Sequence, residues 1–385
     1  MERLGQSPTE DAFVQDPYPF YDRARAGGEL FLWEDYGFPC ATSHRLVSAL
    51  LRDRRFGRVD PRGMPDEPRL APWLATEATS MLSMEPPGHT RLRGLVLRAF
   101  TSRRIGALGP EVEALCDRLV EGFPPGPFDL LDAYARVVPV VIICRLLGVP
   151  EERGPDLLAW SNAMVAMYQA RRTRAIEDAA VAASLAFDAF LRELIEDRRS
   201  RPADDLLSEL IAAERGGQRL SADEMVGTCI LLLNAGHEAT VHTIGNGVAL
   251  LLREGVAEVS EGAVEEVMRV DPPLHLFDRW CAEEAEVAGH VFRPGDRVGL
   301  LLGAANRDPL AYPEPSRFDA ARQGPAHVAF GGGIHFCVGA PLARLELLVA
   351  FRRLLARCPG LRVVERPRYA DAFHFHGLER LVVEA

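Results

Sequence analysis

Apolar positions recur with helical spacing along most of the chain. The longest periodic segment begins at Ser221, where Ser221 and Glu224 fit a capping box, and ends near Arg253. The same spacing predicts further helices at 43–51, 90–99, 105–121, 134–147, 155–168, 175–199 and 341–357. Short apolar runs predict strands only at 29–33, 38–41, 286–289, 297–302 and 361–364. We therefore expect a mainly α fold with small peripheral β-sheets.

Glycine and proline crowd residues 54–83, a density that predicts one long loop. Long loops in compact domains are usually functional. No linker-like segment interrupts the middle of the chain, so we expect residues 1–385 to form a single large helical domain.

Composition excludes several classes of protein. The chain has 385 residues with 44 basic and 55 acidic side chains, a net charge of −11, and all of its cations are arginine. Without lysine, neither Schiff-base chemistry nor a phosphate-binding P-loop can operate. The acidic balance argues against binding of nucleic acid. The seven cysteines are widely scattered without a C-x-x-C pair, which disfavours a disulfide framework or a zinc site.

The N-terminus has no apolar segment of the secretory kind, which predicts a cytoplasmic protein. The longest unbroken apolar run, residues 137–144, is far below the roughly 18 residues that a bilayer span needs. We therefore expect no membrane association.

Cys337 lies between a glycine-rich loop and a predicted helix, in the sequence FGGGIHFCVG from Phe330 to Gly339. Backbone N–H groups and the dipole at a helix N-terminus stabilise a thiolate, and glycines let the backbone approach a flat ligand. A single thiolate without a second soft ligand suits a haem iron, whereas zinc takes more ligands. The alternative is a buried free cysteine beside a glycine turn.

This stretch resembles the haem-binding signature of the cytochrome P450 family, F-G-x-G-x-[HR]-x-C-x-G, at every fixed position. The resemblance implies the P450 fold, heme b (iron protoporphyrin IX) and Cys337 as the axial ligand of the iron. Phe330, Gly331 and Gly339 would belong to the haem-binding loop.

Other segments agree with the family in the same order. Glu266 and Arg269 match the family's E-x-x-R, and Arg317 matches the residue that completes this structural salt-bridge cluster. By the same resemblance, the residues that bind the haem propionates are His89, Arg93, Arg279 and His335. Arginine suits this role because its planar fork binds carboxylates through two hydrogen bonds.

Residues 234–240, NAGHEAT, interrupt the apolar centre of the longest helix and match the family's oxygen-activating pattern [AG]-G-x-[DE]-T-[TS]. Ala235, Gly236 and Glu238 agree with it. Ala239 replaces the proton-relay threonine, and its methyl group can neither donate nor accept a hydrogen bond. Thr240 lies about 100° further round the helix and cannot take over the same geometry.

We therefore expect a substrate hydroxyl, ordered water and Glu238 to complete the relay. His237 and His242 are five residues apart and point to different helix faces, so we expect histidines with satisfied hydrogen bonds and no metal site.

The resemblance implies a haem-thiolate monooxygenase that inserts one oxygen atom of O2 into a small hydrophobic, hydroxyl-bearing substrate of the natural-product kind, free or carrier-bound. Because the chain has no flavin, nicotinamide or iron–sulfur motif, electrons from NAD(P)H would arrive through a separate ferredoxin and ferredoxin reductase. We expect a monomer. The alternatives are a P450-like binding or recruitment protein with lost or atypical activity, and a peroxide-driven oxygenase, against which Glu238 speaks.

Two further sets of residues follow from the resemblance. An acidic electron donor could dock on a local basic face formed by Arg98, Arg103, Arg104, Arg344, Arg352 and Arg353, although solvated arginines are the alternative. Residues expected to line the substrate pocket are Met81, Leu82, Met164, Met167, Leu231, Asn234, Leu274, Phe277, Phe373 and Phe375.

Overall fold

The computed structural model describes residues 1–64, 66–215 and 220–385. For residues 214 and 215 it describes the backbone and not the side chains. Helices dominate it. Their bounds are α1 Asp11–Gln15, α2 Tyr18–Ala26, α3 His44–Leu50, α4 Ala71–Thr79, α5 Gly88–Ala99, α6 Ser102–Ala107, α7 Gly109–Glu121, α8 Val137–Leu147, α9 Gly154–Val165, α10 Arg174–Ser200, α11 Leu206–Arg215, α12 Ala222–Arg253, α13 Glu261–Val270, α14 Leu302–Ala305 and α15 Ala340–Arg357.

Thirteen short strands in the described part of the chain form four small sheets. Their bounds are β1 Glu2–Leu4, β2 Leu30–Trp33, β3 Phe38–Ala41, β4 Phe56–Gly57, β5 Phe128–Asp129, β6 Leu276–Cys281, β7 Ala285–Val287, β8 His290–Phe292, β9 Arg297–Leu301, β10 Arg362–Val363, β11 Arg368–Tyr369, β12 Leu378–Arg380 and β13 Val382–Glu384. The six-stranded sheet has the order β1-β2-β3-β9-β6-β4, and the three-stranded sheet has the order β10-β13-β5. The pairs β7-β8 and β11-β12 complete the set.

Helix α12 begins at the predicted capping box. The Ser221 hydroxyl accepts a hydrogen bond from the Glu224 N–H at 3.1 Å, and the Glu224 carboxylate accepts one from the Ser221 N–H at 2.9 Å. At 1.5 Å per residue its 32 residues span about 48 Å. It passes through the largest hydrophobic cluster and packs against α4, α8, α13 and α15. It is therefore the element around which the other helices assemble.

The prediction of one long loop over residues 54–83 is wrong. Strand β4, helix α4 and two short 3-10 helices, Pro68–Leu70 and Met81–Ser83, lie there. Pro68 and Pro72 fall in the first turns of their helices, where a missing N–H costs nothing. Helix α4 packs closely on α12, since a Cβ on Gly227 would lie 2.2 Å from the Thr79 hydroxyl oxygen.

The other helical predictions hold with shifted ends. The segment predicted as one helix at 105–121 is divided into α6 and α7, and a π-helical turn, Leu131–Ala135, precedes α8. Residues 166–168 form a 3-10 turn that follows α9. None of the helices in the described part of the chain has the length and apolarity that a bilayer span requires.

Candidate active site

Cys337 follows a tightly held glycine-rich loop. Its backbone N–H donates to the Phe330 carbonyl at 3.0 Å. Gly331 and Gly333 have φ values of +69° and +66°, which other residues rarely adopt. A Cβ on Gly333 would also lie 2.3 Å from the carbonyl oxygen of Leu51. The loop thus depends on glycine for both its conformation and its packing, and it fixes the position of the cysteine.

The surroundings of the Cys337 sulfur favour a thiolate ligand. Burial raises the pKa of the thiol, while hydrogen bonding from the backbone N–H groups of Gly339 and Ala340 and the charge of Arg93 oppose that effect. These N–H groups belong to the N-terminus of α15, where the helix dipole also favours negative charge. A bound metal ion would supply the charge that keeps the thiol deprotonated.

Histidine and arginine side chains gather beside this loop. The rings of His89 and His335 lie 4.3 Å apart between centroids, and neither nitrogen of the buried His89 has a hydrogen-bond partner. Arg279 is buried and donates to the Asp278 carbonyl at 2.7 Å, and no carboxylate of the described chain forms an ion pair with it. Burial lowers the pKa of Arg279 to about 9. The nearest acid to the pair of imidazoles is Glu85, whose Oε1 lies 3.5 Å from His335 Nε2.

These residues fit haem. The unpartnered nitrogens of His89 and the buried, unpaired Arg279 need anionic or hydrogen-bonding partners, which the two carboxylates of a porphyrin can supply. Arg93, which donates to the Phe336 carbonyl at 2.6 Å, reaches the same region next to the cysteine. A single cysteine sulfur, two arginines and two imidazoles therefore lie together, a set that suits iron protoporphyrin.

The predicted salt-bridge cluster around Glu266 is present, but its third residue differs from the predicted one. The Arg269 guanidinium makes two hydrogen bonds of 2.7 Å to the buried Glu266 carboxylate. The third cation is Arg322, whose Nε donates to Glu266 at 2.9 Å. The prediction for Arg317 is wrong: its exposed side chain pairs with Glu314, and only its backbone carbonyl accepts from Arg269 and Arg322.

One face of α12 carries accessible surface although the helix centre is otherwise buried. The accessible residues between 225 and 248 are Leu231, Asn234, Ala235, Gly236, Glu238, Ala239 and His242. Apart from Gly236, their spacing of three, four, seven, eight and eleven residues describes one helical face. Gly236 serves packing, because a Cβ there would lie 3.0 Å from Ile143 on α8. Thr240 is buried, so it does not replace the alcohol missing at Ala239.

Two histidines flank the Glu238 carboxylate. His242 Nε2 lies 3.4 Å from one of its oxygens and His237 Nε2 lies 3.5 Å from the other. Burial would raise the pKa of Glu238, but His242 and His237, with a smaller effect of Arg136, outweigh burial and lower it. The expectation that both histidines are satisfied is wrong for His237, whose Nε2 is buried without a hydrogen-bond partner.

Comparison with known proteins decides the family. A sequence profile described as Cytochrome P450 matches residues 258–360. The vitamin D(3) 25-hydroxylase of Pseudonocardia autotrophica is 41% identical over 393 residues, covering 96% of this chain and 94% of the relative. The chain belongs to the bacterial cytochrome P450 family.

Further similarities extend over nearly all of this P450. The polyketide biosynthesis cytochrome P450 PksS of Bacillus subtilis (strain 168) is 32% identical over 407 residues and covers 100% of this chain and 99% of the relative. The crystal structure of P450BioI in complex with hexadec-9Z-enoic acid ligated acyl carrier protein matches with a TM-score of 0.91 and 32% identity, covering 97% of this chain and 99% of that one. The enzyme is a P450 monooxygenase, and the fold predicted from its sequence is confirmed.

Several predicted pocket residues of this P450 lie close to one another. Asn234 donates a weak hydrogen bond to the Met164 sulfur at 3.8 Å, and the buried carbonyl oxygen of its amide has no partner. Phe375 packs beside His242 at 5.7 Å between ring centroids and forms a β-bridge with Leu274. Three of the predicted pocket residues belong to or pack against the largest hydrophobic cluster: Met81, Met164 and Leu231. Three others have partly accessible side chains: Leu82, Leu274 and Phe277.

Two residues of the predicted pocket belong to packed clusters instead. The Phe373 ring lies 5.0 Å from Phe13 and 5.9 Å from Trp33, within an aromatic cluster of the N-terminal part. Met167 is buried in a small cluster with Leu70 and Ala180. Periodicity cannot separate such core residues from pocket residues, because both are apolar.

The predicted basic face of this P450 is largely neutralised. Arg344 pairs with Glu265, Arg353 with Asp117, and Arg104 with Asp204 and Glu209. Arg352 donates to the Val259 carbonyl at 2.7 Å. Arg98 and Arg103 remain exposed, and Leu97 of α5 and Ile334 and Phe336 of the cysteine loop expose apolar surface. The six arginines therefore offer less free positive charge than the sequence indicates.

Proposed function

We propose that this P450 inserts one oxygen atom of O2 into a hydrophobic, hydroxyl-bearing natural product. Its cofactor in this proposal is heme b, and its electrons come from NAD(P)H through a separate ferredoxin and ferredoxin reductase. Residues 1–385 act as a single domain and as a monomer. The relatives support the substrate class, since one is named for polyketide biosynthesis and another for vitamin D(3) hydroxylation.

The Asn234 amide oxygen carries the proposal of a hydroxyl-bearing substrate. It is buried without a hydrogen-bond partner, on the accessible face of α12 four residues before Glu238. An unsatisfied buried acceptor costs about 1–3 kcal/mol. A substrate hydroxyl that donates to this oxygen would recover that cost, and Met164 beside it adapts to an apolar skeleton.

Each residue of the site has a defined task in this proposal. Cys337 holds the haem iron, and His89, Arg93, Arg279 and His335 hold the propionates. When bound, the haem supplies the chemistry that activates O2.

Glu238 and the substrate hydroxyl, joined by ordered water, pass protons to the groove beside Ala235 and Ala239. The apolar side chains around Asn234 exclude further water and orient the substrate.

Ligand titration tests the substrate class. A panel of hydroxylated lipophiles and their deoxy analogues is added to the ferric enzyme, and the spin-state shift gives each dissociation constant. Asn234→Leu should weaken binding of the hydroxylated ligands about tenfold and leave their deoxy analogues unchanged. Met164→Leu, which alters the neighbour without removing the oxygen, should change neither. Equal weakening of both ligand classes by Asn234→Leu would contradict the proposal.

Restoring the alcohol tests the substrate-assisted relay. With a hydroxylated substrate, Ala239→Thr should change the product formed per NADPH by less than about twofold, since the relay is already complete. With the deoxy analogue the same variant should raise that ratio. A large gain with the hydroxylated substrate would refute substrate assistance.

The electron donor is tested by reconstitution. The exposed Arg98 and Arg103, with the exposed Leu97 beside Arg98, offer a mixed surface to an acidic partner. Turnover with a surrogate ferredoxin and reductase should exceed turnover with peroxide alone, and equal product from peroxide would favour a peroxide-driven oxygenase. Since P450BioI has been crystallised with a ligated acyl carrier protein, each substrate is offered both free and carrier-bound.

The absent threonine supports a second candidate, a binding or recruitment protein with lost or atypical activity. Both candidates predict an absorbance maximum near 450 nm for the reduced haem with CO. Only the monooxygenase predicts oxygenated product with the surrogate ferredoxin system. NADPH consumption without product from any ligand that shifts the spin state would favour the binding protein.

A further inference from the structure

A short segment near the C-terminus, residues 374–377, lies against the accessible face of α12, and we call it the wall segment. The Phe375 ring packs beside His242 at 5.7 Å between ring centroids. Gly377 approaches the same imidazole so closely that a Cβ there would lie 1.8 Å from His242 Nδ1. His242 follows Glu238 by one turn on that face, so the wall segment borders the predicted substrate pocket.

Backbone pairing joins the wall segment to the residues that follow α13. Phe375 forms a β-bridge with Leu274, whose side chain is partly accessible. Two hydrogen bonds of 2.9 Å flank this bridge, from the His275 N–H to the His374 carbonyl and from the His376 N–H to the Pro273 carbonyl. Residues 273–275 and the wall segment therefore form one paired structure beside α12.

The His376 side chain enters a buried polar cluster around Asp271. Its Nδ1 lies 2.8 Å from Asp271 Oδ1, and the hydroxyls of Tyr18 and Tyr369 each donate to the same carboxylate at 2.7 Å. Burial would raise the pKa of Asp271, but His376 and His275 outweigh burial and lower it well below its usual range. The carboxylate is therefore ionised and can only accept hydrogen bonds, so Nδ1 of His376 carries a hydrogen.

Only one nitrogen of the His376 ring takes part in this cluster. Its Nε2 is buried and has no hydrogen-bond partner in the described part of the chain. The Tyr369 ring stacks on the imidazole at 3.7 Å between centroids, with the two planes inclined by 16°. Asp271 at one edge and Tyr369 on one face therefore fix the orientation of the buried ring.

Helix α12 binds the backbone of the same residue. Asn246 Nδ2 donates to the His376 carbonyl at 2.8 Å. Asn246 is buried one turn after His242, and its Oδ1 has no partner among the described residues. His376 is thus bonded through its ring, its N–H and its carbonyl to three different segments of the fold.

We propose that His376 is a positioning residue that determines which substrates this P450 accepts. Its three bonds fix the neighbouring Phe375 against His242, and they thereby set the width of the pocket beside α12. The buried His376 side chain faces Asp271 and acts on the substrate through Phe375. The proposal rests on the proposed function only in so far as that function places Phe375 in the substrate pocket, and it does not depend on a substrate hydroxyl.

Tyr18 separates this role from a purely stabilising one. Its hydroxyl donates to the same Asp271 carboxylate from α2. Tyr18→Phe removes that bond, keeps the aromatic ring and leaves all three bonds of His376 in place. If the cluster served only stability, Tyr18→Phe and a variant that removes the His376 ring would have the same effect on ligand binding.

Two azoles that bind the haem iron provide the test, without any substrate. Imidazole reports access to the iron, whereas 4-phenylimidazole also reports the room beside it, and the absorbance shift of the ferric enzyme gives both dissociation constants. His376→Leu removes the bond to Asp271 and should change the ratio of the two constants at least about tenfold, because ligand fit is sensitive to displacements of about 1 Å.

Two variants control this measurement. His376→Asn should restore the ratio to within about threefold of the wild type, because its amide nitrogen, like Nδ1, is two bonds from Cβ, and Nε2 makes no bond to lose. Tyr18→Phe should lower the melting temperature but keep the ratio within about twofold. An unchanged ratio in His376→Leu, or an equal change in Tyr18→Phe, would overturn the proposal.

Asn246→Ala perturbs the same residue independently. It removes the bond to the His376 carbonyl and breaks no hydrogen bond of Oδ1, which has none. The ratio should again change, at least about fivefold. If His376→Leu lacks the absorbance maximum near 450 nm of the reduced CO complex, Asn246→Ala decides, and an unchanged ratio there overturns the proposal. Since no hydroxylated ligand is used, this test can fail while the proposed substrate class stands, and the reverse also holds.

Discussion

Substitution of Arg322 and of Arg317 tests which of these two arginines belongs to the salt-bridge cluster around Glu266. Arg322 Nε donates to Glu266 at 2.9 Å, and its other nitrogens donate to the carbonyls of Pro313 and Arg317 at 2.6 and 2.7 Å. The Arg317 side chain instead makes one pair with Glu314, and these two side chains are 65% and 72% exposed. The substitutions Arg322→Ala and Arg317→Ala should therefore differ greatly in their effect on stability.

The expected magnitudes follow from these contacts. A hydrogen bond to a charged group contributes about 1.5–3 kcal/mol. Arg322→Ala also removes the donor of the Pro313 carbonyl, while the Arg317 carbonyl keeps Arg269 as a donor. Glu266 retains Arg269 and the Asp319 N–H, so the loss falls short of that for a fully unpaired buried charge. We expect Arg322→Ala to lower the free energy of unfolding by about 3 kcal/mol and Arg317→Ala by less than about 1 kcal/mol.

Urea unfolding followed by circular dichroism measures both variants at equal haem occupancy. The midpoint should fall in Arg322→Ala without a change in slope, because the surface exposed on unfolding stays the same. The 450 nm band of the reduced CO complex should also decline, since the cluster supports the segment that leads into the cysteine loop. Equal destabilisation by the two substitutions, or a larger effect of Arg317→Ala, would refute the assignment of Arg322.

Three further outcomes are expected. Gly333→Ala should destabilise the loop by at least about 2 kcal/mol, because alanine is strained at positive φ and its Cβ meets the Leu51 carbonyl; a melting temperature equal to the wild type would contradict this. Arg279→Leu should speed haem transfer to apomyoglobin about tenfold, whereas Arg297→Leu, next to the same strand pair, should not. Burial lowers the pKa of His275 to about 4, so its contribution to stability is complete above pH 6.5 and is lost as the pH falls towards 4, by about 3 kcal/mol. Unfolding midpoints measured from pH 7 to pH 4 should therefore decline less in His275→Gln than in the wild type, and parallel curves would contradict the pKa direction.

The helices of the fold could be predicted because their signals are local. The capping box at Ser221 and the 3.6-residue apolar spacing that follows it lie within the segment that they specify. Helix α4 was missed because proline has two opposite meanings. A high count of prolines predicts that no helix forms, yet Pro68 and Pro72 each lie in the first turn of a helix, where proline is tolerated. Only the packing of α4 against α12 shows that a helix forms here.

In the site, too, features specified by neighbouring residues could be predicted, whereas contacts between distant segments could not. Cys337 and its glycines form a continuous motif, so the sequence indicates both the ligand and the loop. Arg322 lies only five residues after Arg317, and nothing in the sequence tells which guanidinium turns inward to Glu266. Glu85 was missed for a related reason, since its proximity to His335 joins segments 250 residues apart.

The missing alcohol at Ala239 illustrates the limit most clearly. The sequence shows an alanine where the family pattern has a threonine, and it places two histidines nearby, but helical spacing alone describes them as residues on different faces. The structure adds that Glu238 reaches both imidazoles, and that the Leu233 carbonyl fixes the proton on the far nitrogen of His237. Contacts of this kind depend on which atom of a ring meets which backbone oxygen. Composition and periodicity carry no such information, so these contacts could be identified only in the folded chain.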